Sequence, residues 1–153
     1  MQNPEYETIM IQRTDRSCSL CEDYAAQQAS KPVVVMSCVG GCLRGEVARQ
    51  AANILCFELA PEKTARLCLG GAFTKDTGQR ALARNAGKVL AIEGCFIECA
   101  SRMMKGAAGI DAEVVIADKH YNFDHRLFGI NEMPEAEIRQ HAREVAEKVA
   151  RTL

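Results

Sequence analysis

The stretch VVVMSCVGGCLRGEVARQ, residues 33–50, decides the fold. It opens on Val33-Val34-Val35-Met36, an unbroken apolar run rich in β-branched residues, which suits a strand buried on both faces of a parallel sheet. Cys38 and Cys42 follow, and they bracket the glycine pair Gly40 and Gly41. Helical periodicity then begins, with Val47, Ala51, Ile54, Leu55 and Leu59 near one face. Strand, glycine-bearing turn and helix make the opening unit of an α/β domain. The turn is compatible with two ligands, because a thiolate metal site and a phosphate loop both bring backbone amides and a cysteine sulfur to the end of a strand.

The same alternation continues downstream. ARLCLGG reads as the second strand and TGQRALARNAG as a short helix closed by Gly87. KVLAIEG is the third strand, leading into the helix CFIECASRMMKGA, and AEVVIA is the fourth. After the loop DKHYNFDHRLFG, the last helix starts near Pro134, with Ile138, Ala142, Val145 and Val149 on its apolar face. This β-α-β-α-β-α-β-α order predicts a three-layer α/β sandwich: a four-stranded parallel sheet of order 2-1-3-4, flavodoxin-like or Rossmann-like, with right-handed crossovers. Residues 1–31 read as an N-terminal arm with a short helix, SLCEDYAAQQAS, opened by the pair Cys18 and Cys21. Residues 32–153 read as the α/β metal-binding domain, restarted in extended form at Pro32.

Composition narrows the function. The 153 residues are 48% hydrophobic and 25% charged, the mix of a globular chain with its own core. A net charge of −1 and the absence of Trp argue against nucleic acid and against anionic membrane surfaces as partners. No apolar run approaches the ~20 residues of a membrane span. The first residues, MQNPEYETIMIQR, lack the apolar segment of an export signal, so a cytoplasmic location is expected. Eight cysteines are then expected as reduced thiols, and clustered reduced thiols point to metal or redox chemistry.

Their places along the chain are specific. In an open parallel sheet, ligands bind beyond the carboxyl ends of the strands, where the connections diverge. Order 2-1-3-4 puts that point between strands one and three. Cys38 and Cys42 follow strand one, Cys95 and Cys99 follow strand three, and Cys68 ends strand two. If each Cys-x3-Cys starts a helix, its two side chains share a face and the helix dipole favours thiolate. Four facing sulfurs suffice for tetrahedral zinc at about 2.3 Å, and an iron–sulfur cluster can use the same ligands. Cys56, mid-helix, reads as an ordinary small core residue. Glu93 stands beside Cys95, where it can orient the site or coordinate.

These motifs resemble the DGC-domain family, named for Asp-Gly-Cys at the end of a strand with a further cysteine four residues on. Glu93-Gly94-Cys95 and Cys99 correspond, with a longer acid in first place. The loop Cys38-Val39-Gly40-Gly41-Cys42, the segment Cys68-Leu69-Gly70-Gly71-Ala72 and the final strand ending at Asp118 are also similar, over roughly residues 33 to 120. The resemblance implies zinc held by four cysteines. Family members place the first cysteines closer together, which makes Cys68 the substitute for Cys42. The expected metal ligands are thus drawn from Cys38, Cys42, Cys68, Cys95 and Cys99. The expected role is a metal-binding or sensing module, or one that binds a small molecule or anion at the strand-end cleft, with a homodimer as a further expectation.

Two other readings stand beside it. Cys38 and Arg44 satisfy Cys-x5-Arg, the loop of small tyrosine phosphatases and arsenate reductases. There Cys38 is the nucleophile, Arg44 grips the oxyanion and Asp118, with Tyr121 nearby, is the general acid. The Ser or Thr that usually follows the arginine is replaced by Gly45. In the third reading Cys18 and Cys21 form a cytosolic redox pair, though they can equally join the metal site or a second one. His120 and His125 read as solvated loop residues, His141 as an inert residue on the polar side of the last helix, and Met36, Met103 and Met104 as core.

Overall fold

The computed structural model describes residues 5–153. Helix α1 (Ser19–Gln28) precedes strand β1 (Val33–Ser37), and α2 (Leu43–Ile54) runs on through a π-helical turn, Leu55–Leu59. Strand β2 (Thr64–Arg66), helices α3 (Leu69–Thr74) and α4 (Gly78–Asn85), strand β3 (Lys88–Glu93), helix α5 (Cys99–Ala108), strand β4 (Glu113–Ile116) and helix α6 (Glu135–Ala150) complete the chain, with single 3-10 turns at Ala117–Lys119 and Ile130–Glu132. The sheet order is β2-β1-β3-β4, and every pairing is parallel, as the sequence predicts.

Strand alternation builds two cores. Val33 and Val35 of β1 with Leu90 and Ile92 of β3 point to a core closed by α2 and α6, where Val47, Ala51, Ile138, Ala142 and Val145 pack. Val34 and Met36 with Val89 and Ala91 point to the opposite core, closed by α3, α4 and α5 through Ala72, Leu82 and Met104. Every residue of β1 is buried, which explains why it reads as a continuous apolar run rather than an alternating one.

Several boundaries differ from expectation. Strand β2 stops at Arg66, so Cys68 lies outside the sheet as the N-cap of α3, a short helix absent from the sequence reading. Helix α4 ends at Asn85, before Gly87. Helix α5 begins at Cys99 rather than Cys95, because Glu98 adopts a left-handed conformation (φ 55°) that breaks the helical path. Met103 is 43% exposed, whereas Met36 and Met104 are fully buried. His141 is partly buried and stacks on Tyr121 with ring centroids 4.8 Å apart, so it belongs to the packing of α6 against the 121–125 loop rather than to a polar face.

Helix α1 is fastened to the sandwich by two contacts. The Glu22 carboxylate accepts from the Gly78 amide at the start of α4 (2.9 Å), a favourable charge at a helix N-terminus. The Tyr24 hydroxyl donates to the Arg66 carbonyl (2.8 Å) and accepts from the Arg66 amide (3.0 Å).

Ile92 is completely buried between β1, β4 and the α2–α6 layer. Ile92→Ala is expected to lower unfolding free energy by about 2–5 kcal/mol, read as a drop in the urea midpoint at unchanged m-value.

Candidate functional site

The loops after β1 and β3 meet face to face. Gly94 has no side chain because there is no room for one: a Cβ there would stand 2.8 Å from the Arg44 carbonyl carbon and 2.8 Å from the Gly45 nitrogen, both backbone. Gly45 is equally constrained, since its Cβ would lie 2.9 Å from the Gly40 nitrogen. The ladder between the two strands extends by one further bond, from the Cys38 amide to the Ile92 carbonyl (3.1 Å). The glycine of the Glu-Gly-Cys motif is thus a close-approach residue that seats one cysteine loop on the other.

This contact gathers titratable groups around Cys38. Burial pushes the Cys38 thiol up to about 11; a backbone hydrogen bond from Gly94 opposes the rise, and the neighbouring Cys99, Glu93 and Cys42 add to it. Glu93 is wholly buried. Its Oε1 accepts from the Ser101 amide in the first turn of α5 (2.7 Å), so the carboxylate caps that helix from the end of β3. Its Oε2 is buried with no hydrogen-bond partner. Cys95 is half-buried in the turn leading to Glu98, and Cys99 is exposed as the first residue of α5.

Neither Cys-x3-Cys pair shares a helix face, which corrects the geometric expectation. Cys38 precedes the loop and Cys42 is the N-cap of α2; Cys95 precedes the turn and Cys99 starts α5. Among the described residues, no three His, Cys, Asp or Glu side chains are placed to enclose a metal ion. Cys42 and Cys99, which follow β1 and β3, both act on the Cys38 thiol. Their chemistry nonetheless suits zinc, as does a buried carboxylate oxygen lacking a partner.

A second feature went unread in the sequence. Cys42-Leu43-Arg44-Gly45 and Cys68-Leu69-Gly70-Gly71 are the same Cys-Leu-x-Gly pattern, and in both the cysteine sulfur accepts from the glycine amide three residues on (3.4 Å each). Sulfur takes the place usually held by a Ser or Asp oxygen at a helix N-cap. Spacing to the glycine, rather than to the next cysteine, is the signal that finds these caps. Cys68 lines a cavity together with Cys21. Cys18, the other member of the pair, is the exposed N-cap of α1.

Arg44 is held on the far side of its helix start. Its Nε donates to Asp118 Oδ2 (3.3 Å), its Nη atoms donate to the carbonyls of Leu127 and His125 (3.1 Å each), and its guanidinium lies 4.8 Å from the centre of the Phe123 ring. Arg44 and Asp118 pair with each other and fasten the 118–128 loop over α2. Phosphate chemistry at Cys38 would require both to turn away from these partners. Tyr121 is buried there with an unpartnered hydroxyl, and burial together with Asp118 pushes its phenol well above the usual range. His125 stacks on Phe123 at 4.3 Å, and the His120 carbonyl accepts from Lys148.

The sequence profile of the DGC domain matches residues 34–149, from β1 through most of α6. The chain belongs to the DGC-domain family. The match is longer than the stretch over which the resemblance was read, since it takes in the 118–128 loop and α6 that cover one face of the sheet. Within this DGC domain the Glu-Gly-Cys segment closes the contact between the β1 and β3 loops. Comparisons with curated proteins and with solved structures give no match.

Gly94→Ala is expected to cost about 1–3 kcal/mol, because only backbone stands in the way of the new methyl. Gly70→Ala, which meets nothing within 4 Å, should stay near neutral; chemical denaturation of the pair measures the contrast. The raised Cys38 thiol also sets a pH dependence in metal-free protein. The unfolded chain loses this proton near the ordinary thiol range and the folded chain later, near 11, so stability falls as pH rises between the two. In Cys38→Ala that part of the alkaline slope should be missing from a pH series of thermal unfolding.

Proposed function

We propose that this protein binds zinc through cysteine thiolates at the carboxyl edge of its sheet and acts as a metal-binding or sensing module. The observation that carries the reading is the seating of the β1 and β3 loops on each other at Gly94, which brings Cys42, Cys99 and the half-satisfied buried carboxylate of Glu93 near enough to act on the Cys38 thiol. The ligands are drawn from Cys38, Cys42, Cys95 and Cys99, with Cys68, which lines the cavity beside α1, as the substitute. Thiol side chains around a cation lose the mutual repulsion that keeps bare thiolates apart, so metal and deprotonation arrive together. Zinc supplies charge neutralisation there, and closure by four sulfurs makes the site structural rather than catalytic. A cytoplasmic, reducing location keeps the thiols available.

Elemental analysis of untagged protein purified with zinc and without chelators tests this. About one zinc per chain is expected. Cys38→Ser and Cys99→Ser should lose most of it and Cys56→Ser should keep it, since Cys56 is buried in the α2–α6 core. Glu93→Gln should weaken zinc affinity by about 10–100-fold in a chelator competition. Metal-free wild-type protein, or aryl phosphate hydrolysis that survives chelation and disappears in Cys38→Ser and Arg44→Ala, would reverse the assignment.

A further inference from the structure

A cavity of about 510 Å³ opens between α1, α2 and the end of β2. Its volume falls in the range of small-molecule sites. Val39, Phe57, Leu67 and Leu69 supply apolar wall, and Arg49, Asn53, Arg66 and Gln79 are among its polar groups.

Arg66 is the unusual member. Its guanidinium is largely removed from water, and desolvation lowers its pKa. Every hydrogen-bond partner it has is neutral: Asn53 Oδ1 (2.8 Å), the carbonyls of Leu67 (2.9 Å) and Val35 (3.4 Å), and Ser37 Oγ (2.7 Å). Those bonds engage four of the five N–H groups of a guanidinium, leaving one on Nη2. No carboxylate among the described residues pairs with Arg66, and the charged groups acting on it are thiols, the Tyr24 phenol and a second arginine. That arginine, Arg49, is already neutralised by a two-pronged contact with Glu46 (2.8 and 2.6 Å). The cavity wall therefore carries one uncompensated positive charge. A buried charge without a counter-ion is costly, and a ligand that brings the counter-charge gains what the protein lacks.

We propose that this cavity is a binding site for a small organic monoanion, a carboxylate with a short apolar tail, whose head group pairs with Arg66. One net charge matches a carboxylate, and a phosphate dianion would overshoot it. The apolar tail lies against Val39, Phe57 and Leu69. The site needs none of Cys38, Cys42, Cys95 or Cys99 and shares with the zinc reading only Cys68, the substitute ligand, so the probes are added to metal-free protein.

The probes are hexanoate, hexanamide and inorganic phosphate, each added to the full-length protein. Hexanoate is expected to raise the melting temperature by a few degrees and to slow alkylation of Cys68 several-fold by peptide mapping. Hexanamide and phosphate should do neither. Gly70→Trp adds a large ring at a residue that lines the cavity, where a Cβ meets no atom within 4 Å, and should abolish the hexanoate response with the fold retained by circular dichroism. Arg66→Met should abolish it too; if that variant unfolds, Gly70→Trp decides. An equal response to hexanamide, a response to phosphate only, or hexanoate binding retained in Gly70→Trp would overturn the proposal.

Discussion

The architecture of this edge depends on one steric fact, the backbone-to-backbone contact of Gly94 with Arg44 and Gly45. No side chain separates the loops that follow β1 and β3. The sheet pairs these strands directly, but pairing alone leaves the chain free to diverge once the last ladder bond is made. The glycine contact prevents that divergence, and so the cysteines on both sides stay adjacent. Glu93 adds a second tie from the same segment, since it ends β3 and caps α5 at once. Two consecutive residues of one motif therefore do different structural work: the acid orients the next helix, and the glycine seats the loop on its neighbour.

Charge is distributed around this edge with some economy. Arg44 and Asp118 neutralise each other while pinning the loop that covers α2, and Arg49 and Glu46 do the same within a single turn. Glu93 and Arg66 lack such partners. One keeps a buried oxygen without a donor and the other a guanidinium without an anion, and they lie at different places along the edge. Groups left in that state cost stability, and proteins keep them where a ligand completes the set. The two groups thus differ in sign, a carboxyl at one place and a guanidinium at the other.

Much of this was legible beforehand. The continuous apolar run at Val33–Met36 and its partner at Val89–Ile92 state that both faces of the sheet are covered, and the expected order 2-1-3-4 is the one observed. The positions of five cysteines beyond the strand ends were equally readable. Their orientation was not, because it turns on Glu98 adopting a positive φ and on cysteines acting as helix caps, neither of which cysteine spacing reveals. Strand β2 was overextended because ARLCL alternates acceptably, whereas Cys68 leaves the sheet to cap α3. Arg66 drew no attention for a related reason. A lone arginine at a strand end normally reaches solvent, and here Asn53 of α2 and the Val35–Ser37 end of β1 draw the side chain inward instead.

The bond between Tyr24 and the Arg66 backbone has a consequence beyond fastening α1. A three-residue border strand would otherwise present its outward amide and carbonyl to any extended chain that came by, the usual beginning of sheet growth across molecules. A phenol that both gives and takes a hydrogen bond uses up those groups together. On this flank another copy cannot add a strand until α1 has been peeled away, so fraying of the N-terminal helix, more than loss of the central core, governs when the border becomes adhesive.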